Sequence, residues 1–231
     1  MKRVQKYALK ASARRALLIS LLLLFCFVLF TVAVIKVDVR PIGPEGSSVG
    51  FASINGAVRD AFPFSHEWYS ISSKIGYLMI AFAVAFAGLG GMQMFRRRSL
   101  LKVDSELLLL GAFYVVMFVL YILFDKIALN YRPFIIDPAE GLEPSYPSTH
   151  TLLAICIGGT GVLQVKRIFA EKPTLSLLSS ILLVFLTALQ VVTRLASGVH
   201  WLTDILGSLL LGSGMVAAYI AGVRYIQLKK E

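Results

Sequence analysis

Apolar residues gather in six stretches, at roughly 16–36, 75–95, 106–124, 151–165, 174–192 and 203–223, with short polar connections between them. About 20 residues carry a helix across a bilayer. A chain in hydrocarbon must satisfy its own backbone hydrogen bonds, which makes helices the default. The expected fold class is therefore all-α, an integral membrane bundle of six transmembrane helices. The fourth stretch is the shortest and borrows length from its flanks. The first begins with basic residues but runs on for about 20 apolar positions without a small-x-small cleavage site, so it reads as a retained span.

The connection at about 37–74 is the longest. Gly43 to Ser48 is irregular, with Gly-Pro and Gly-Ser steps. Ala52–Phe64 places Ile54, Val58, Ala61 and Phe62 at helical spacing, which fits a helix in the membrane interface or a cap over the bundle mouth. His66 has no partner at helical spacing and reads as a surface histidine. Gly88, Gly90, Gly91, Gly207, Gly212 and Gly214 suit close helix packing.

Composition agrees with this pattern. Of 231 residues 57% are hydrophobic and only 16% charged, too few to cover a soluble surface. One domain over 1–231 is expected at this length. Cys26 and Cys156 both lie in apolar runs and read as small buried hydrophobes, with no zinc spacing or disulfide framework. The net charge of +10 does not point to nucleic acid, because the cations cluster beside the apolar stretches as topology signals. Residues 1–15, 96–102, 166–172 and 224–230 hold 16 of the 23 Lys and Arg. With six spans these segments share one side, so both termini are expected in the cytoplasm of a cell (inner or plasma) membrane.

Three polar clusters then fall on the opposite, extracytoplasmic face. The first is Lys126 with Arg132-Pro133, the second Pro147-Ser148-Thr149-His150, the third Arg194 with His200 and Asp204. Ionisable groups beside hydrocarbon are costly and usually functional. His200 and Asp204 are four apart and share a helical face. Asp204 can fix the imidazole tautomer and leave the other nitrogen as a nucleophile, or the pair can simply be structural. Ser148 and Thr149 precede an apolar run, where they serve as helix caps and also offer a phosphate site at the helix N-terminus. His150 is placed to give a proton to a leaving oxygen. Arg132 and Arg194 can grip phosphate oxygens in pairs, and Lys126 adds a point charge. Asp125, Asp137, Glu140 and Glu143 lack metal-ligand spacing, which favours a mechanism with neither metal nor cofactor.

In order and spacing these clusters resemble the type 2 phosphatidic acid phosphatase (PAP2) superfamily, in its membrane lipid phosphatase branch. That family shows a Lys followed by Arg-Pro, then Pro-Ser-Gly-His, then Ser-Arg with five residues to His and three to Asp. Here the third motif keeps its spacing from Arg194 to His200 to Asp204. Thr149 stands for the Gly and Thr193 for the Ser, and Lys126 lies one residue closer to Arg132 than is usual. The motifs cover 126–204. The resemblance implies that His200 attacks phosphorus, that Asp204 orients it, and that His150 protonates the leaving group and then activates water. It implies that Lys126, Arg132, Ser148, Thr149 and Arg194 hold the phosphoryl oxygens. It further implies a membrane lipid substrate: phosphatidic acid, phosphatidylglycerol phosphate, undecaprenyl diphosphate or a lipid A phosphate. Two alternatives remain at this stage, a lipid phosphotransferase using the same site and a non-catalytic phospholipid transporter.

Overall fold

The computed structural model describes residues 2–230. Seven α-helices are present among them: α1 Lys2–Lys36, α2 Ala52–Ala61, α3 His66–Arg97, α4 Ser105–Lys126, α5 Thr149–Ile168, α6 Pro173–Ala196 and α7 Leu202–Lys230. All but α2 are long and apolar enough to cross a membrane. Each of the six expected stretches lies inside one of them. Leu18, Leu22, Phe25, Val84, Val119, Leu178 and Phe185 stay exposed, as a lipid-facing belt requires.

α5 and α7 form the centre. About 61% of the apolar window of α5 is buried and 50% of that of α7, against 11–22% for the other four. That burial explains the modest hydropathy of α5, whose Gly158, Thr160, Gly161 and Gln164 face protein and not lipid. A side chain at Gly158 would run into Thr187 of α6, and one at Gly159 into Val216 of α7. α1 lies antiparallel along α7, where Ser20 Oγ donates to the Gly214 carbonyl at 2.8 Å. Met79, Leu152, Cys156, Ile157 and Leu211 fill the core between them. Cys156 is buried as expected, but Cys26 on α1 is only half-buried.

One boundary and one buried face differ from the sequence expectation. α3 starts at His66, so the long connection ends at Ser65. Ser65 Oγ accepts the Trp68 N–H at 3.3 Å, and Glu67 sits in the first turn, which together begin a helix well before the apolar stretch. α2 forms as anticipated, but its apolar residues Ile54 and Phe62 remain exposed. Its buried side carries Asn55, which pins it to α7. It is therefore both a cap on the bundle and an apolar face turned outward.

The ends of the spans opposite the polar clusters are tied by ions. Asp104, before α4, takes Arg97 Nη1 of α3 at 2.9 Å, Gln93 Nε2 at 3.0 Å, and Arg167 of α5. Lys230 of α7 lies 4.0 Å from Glu106. The hydrogen bond from Arg97, then that from Gln93, hold the Asp104 carboxyl below its ordinary value. The four basic segments thus meet at one end and the three motifs at the other.

Candidate active site

The motifs converge because helix ends converge. α5 and α7 both begin at this face, and α6 ends there. Ser148 N–H donates to the Asp204 carbonyl at 3.1 Å, and Ser208 Oγ donates to the Ser148 carbonyl at 2.8 Å. These bonds lock the start of α5 to the first turn of α7. The α6–α7 connection is short because Gly198 adopts φ +70°. A Cβ there would come within 2.7 Å of the backbone at Pro63 and Phe64, so only glycine lets the outer connection lie against it.

His200 and Asp204 form a buried dyad. His200 Nδ1 lies 3.3 Å from Asp204 Oδ2, and the Trp201 N–H donates to the same oxygen at 2.9 Å. His200 is 5% exposed and Asp204 fully buried. With Nδ1–H donating to the carboxylate, the lone pair rests on His200 Nε2, a buried atom without a protein partner. Burial lowers the proton affinity of His200 well below its ordinary value, and the charges of Arg194 and Arg132 lower it further. The imidazole is therefore neutral, with a free nucleophilic nitrogen.

Arg194 is 1% exposed. Its Nη2 donates to His150 Nδ1 at 3.3 Å, and its Cζ lies 5.4 Å from the centre of the Tyr69 ring. Its Nε and Nη1 have no partner. Accepting at Nδ1 places the His150 proton on Nε2. Gly76 of α3 makes room for this ring: a Cβ there would sit 3.3 Å from His150 Cδ2. Behind it Gln190 Nε2 donates to Ser72 Oγ at 3.1 Å.

Arg132 reaches the cluster through a short antiparallel bridge between Tyr131 and Pro144. Arg132 N–H donates to the Glu143 carbonyl at 2.9 Å, and Ser145 N–H to that of Asn130 at 2.9 Å. Trp201 Nε1 donates to the Tyr131 carbonyl at 2.6 Å, fixing this loop to the start of α7. Arg132 Nη2 pairs with Glu143 Oε2 at 3.1 Å, while its Nε and Nη1 are buried without partners. Two guanidinium groups thus bring four unpaired buried nitrogens, Nε and Nη1 of each, to the neighbourhood of a free imidazole nitrogen. Leaving such donors unsatisfied costs about 1–3 kcal/mol each or more, which an anion between them would recover.

The other expected residues are placed differently. Ser148 is fully buried, and its hydroxyl donates to Thr151 Oγ1 at 3.0 Å rather than capping a backbone N–H. Thr149 is the half-buried first residue of α5. Lys126 is exposed in the last turn of α4 and, among the described residues, makes no ion pair or hydrogen bond. Ile127 continues in extended backbone, which turns the chain away just after the lysine. Among the described residues no three His, Cys, Asp or Glu come together as metal ligands would.

Sequence reasoning missed several contributors. Asn55 of α2 donates to the Gly50 carbonyl at 2.8 Å and to Thr203 Oγ1 at 3.0 Å, and accepts the Thr203 N–H at 3.2 Å. It thereby caps the helix that carries Asp204. Arg59 of α2 lies 6.0 Å from the centre of the Trp201 ring. Phe64 stacks on Phe134 at 4.4 Å, and these rings with Arg59, Pro133 and Gly198 line a cavity of about 380 Å³ at the mouth. None of these pairs has a sequence spacing that would reveal it.

Comparison with known proteins agrees with this arrangement. The sequence profile of the PAP2 superfamily matches residues 105–227, more than half of the chain and all three motifs. No curated protein sequence matches. Among solved structures, the chain is similar to the crystal structure of a transmembrane PAP2-type phosphatidylglycerolphosphate phosphatase from Bacillus subtilis. The TM-score is 0.59 at 17% identity, over 90% of this chain and 96% of that one, a likeness of fold. This chain belongs to the PAP2 superfamily and is a multi-pass membrane phosphatase, a hydrolase of phosphoric esters.

Proposed function

We propose that this PAP2 superfamily member hydrolyses a phosphomonoester or diphosphate of a membrane lipid through a phosphohistidine on His200, without a metal ion. The observation that carries the reading is the buried, unpartnered His200 Nε2, held in its tautomer by Asp204. The phosphate of a phosphatidic acid, phosphatidylglycerol phosphate, undecaprenyl diphosphate or lipid A type substrate lies between Arg132 and Arg194. Nε and Nη1 of each arginine donate to it, as does the backbone N–H of Thr149 at the start of α5. Lys126 is free to swing toward the anion from the exposed end of α4.

His200 Nε2 forms a bond to phosphorus as the bond from phosphorus to the lipid oxygen breaks. A proton carried in by the phosphate passes to His150 Nδ1 as Arg194 turns from that nitrogen to the phosphate, and the imidazolium so formed gives a proton to the leaving oxygen. Asp204 balances the cation formed on His200. Water then attacks phosphorus, His150 takes back a proton, and the P–N bond breaks to release inorganic phosphate. Fixed guanidinium and amide dipoles in a buried site supply several kcal/mol to both transition states.

The charge asymmetry supports cytoplasmic termini and a site at the extracytoplasmic surface of a cell membrane. The chain acts as one unit from 1 to 231, with the catalytic residues in 126–204.

The test is release of inorganic phosphate by purified protein in detergent from these four lipid classes, with EDTA present and His200→Ala alongside. Release that persists in EDTA and vanishes in the variant is expected. Release abolished by EDTA would refute the metal-free mechanism. Transfer of the phosphoryl group to an added lipid alcohol, with no free phosphate, would reassign the site to a phosphotransferase.

A further inference from the structure

α1 and α7 stay in register to the end of the bundle opposite the catalytic site. Arg224 Nη1 donates to the Ser12 carbonyl at 3.0 Å. Alongside that contact a groove of about 640 Å³ runs between the two helices, from Leu17 and Ala218 to Lys6 and Leu228. Its deeper part is apolar, including Leu17 and Ala218, and Tyr225 lies toward its outer end. Its rim carries Lys6, Lys10 and Arg14. These cations are four residues apart and form one stripe on α1, about 12 Å long at 1.5 Å per residue. All three are exposed, and among the described residues none forms an ion pair. Among the described residues no carboxylate lines the groove.

Depth along the helix gives these groups their environment. The apolar run from Ala16 to Lys36 spans a hydrocarbon core of about 30 Å. Arg14 then lies at headgroup level, with Lys10 and Lys6 just beyond it. Tyr225 falls at the same interface, where tyrosine is favoured. The groove is therefore apolar where acyl chains run and cationic where headgroups lie. Topology alone calls for cations at this end, but not for three of them on the edge of one groove. Arg15, the next residue and equally basic, lies off it.

We propose that this groove binds an anionic phospholipid from the leaflet opposite the catalytic site. One acyl chain lies along Leu17 and Ala218, and the headgroup phosphate lies among Lys6, Lys10 and Arg14. Arg14 grips two oxygens and the lysines act as point charges. The site is separate from the catalytic centre and does not depend on the reaction assigned to it.

The test is a lipid titration of the purified full-length protein, with bound lipid counted by native mass spectrometry. The probe is dioleoylphosphatidylglycerol, a phosphodiester without a terminal phosphate, and the comparison is dioleoylphosphatidylcholine. The wild-type protein is expected to prefer the anionic lipid. The triple variant Lys6→Gln, Lys10→Gln, Arg14→Gln is expected to lose on the order of 100-fold in affinity for it. This follows from about fivefold for each cation near an anionic headgroup. A control with Arg15→Gln, Arg98→Gln and Lys166→Gln removes the same charge from the same end and is expected to stay within about threefold. Equal losses in both triples would mean diffuse attraction, and wild-type affinity in the first would leave the groove without a role; either result overturns the proposal. Ala218→Phe fills the groove with every cation kept, and is expected to weaken binding at least tenfold; unchanged binding overturns the proposal as well. His200→Ala is expected to bind as wild type does. A loss there would put the lipid in the catalytic centre and overturn the assignment.

Discussion

Asn55→Leu probes how far the outer cap controls the chemistry. Leucine keeps the branched skeleton of asparagine, with bulkier methyl groups, and removes every hydrogen bond. The amide makes three, two to Thr203 and one to the Gly50 carbonyl, all buried. At about 1 kcal/mol net each, with a further 1–3 kcal/mol for the stranded Thr203 N–H, the loss comes to about 4–6 kcal/mol. It falls on the contact between α2 and the first turn of α7, because α1 and α5 hold the rest of that helix. Thr203 immediately precedes Asp204, whose Oδ2 takes both Trp201 N–H and His200 Nδ1. If about a third of the loss reaches the dyad, kcat falls by roughly 10- to 30-fold at 1.4 kcal/mol per decade. The assay is phosphate release from the best lipid substrate, with the inhibition constant for inorganic phosphate measured in parallel. In the proposed mechanism Arg132 and Arg194 hold the phosphate, so that constant is expected to stay within about threefold. A monodisperse, thermally stable variant with kcat within twofold of wild type would refute the reasoning. So would a loss confined to phosphate affinity.

Further outcomes follow from the same geometry. Arg194→Lys removes the group that reaches both His150 and the phosphate position, and is expected to lower kcat/KM by about 100-fold, because an ammonium cannot supply two fixed donors; activity within fivefold would contradict this. His200 has its proton affinity lowered by burial and by Arg194 and Arg132, so it stays neutral below pH 6.5. The His200 imidazole NMR signals, identified by their absence from His200→Ala, should therefore titrate below 6.5, and a midpoint at or above 6.5 would contradict the electrostatics. The same shift has a stability sign: below about 6.5 the unfolded chain binds a proton at this residue that the folded one does not, so the stability contributed by His200 falls as pH drops from 6.5 toward 5, and His200→Ala should lose less melting temperature over that range than wild type; an equal or larger loss would contradict it. Gly198→Ala forces a side chain into φ +70° and against the backbone at Pro63 and Phe64, and is expected to cost several kcal/mol and most of the activity; a melting temperature unchanged from wild type would contradict it.

The sequence made the spans and the dyad legible for the same reason. Both are local patterns: a run of about 20 apolar residues defines a helix, and a four-residue spacing lets His200, just before α7, meet Asp204 in its first turn. Alternation of the spans then brought three motifs to one face without further information. What escaped were contacts between distant segments. Asn55 and Thr203 are 148 residues apart, and nothing in either neighbourhood marks the pair. Glu143 read as a loop carboxylate until the Tyr131–Pro144 bridge set it against Arg132. The start of α3 escaped because its first turns are polar and lie above the hydrophobic run, so a capping serine defined it instead. Lys126 was grouped with Arg132 on sequence proximity, yet α4 ends at that residue and leaves its side chain exposed.

The most direct test of the central claim is to trap the covalent intermediate. Purified protein in detergent would be mixed with a lipid phosphate carrying 32P, quenched in alkali during turnover, and digested for peptide mapping. The account predicts label on the peptide containing His200, stable to alkali, lost in acid, and absent from His200→Ala. Label on any other residue, or phosphate release undiminished in His200→Ala, would contradict it.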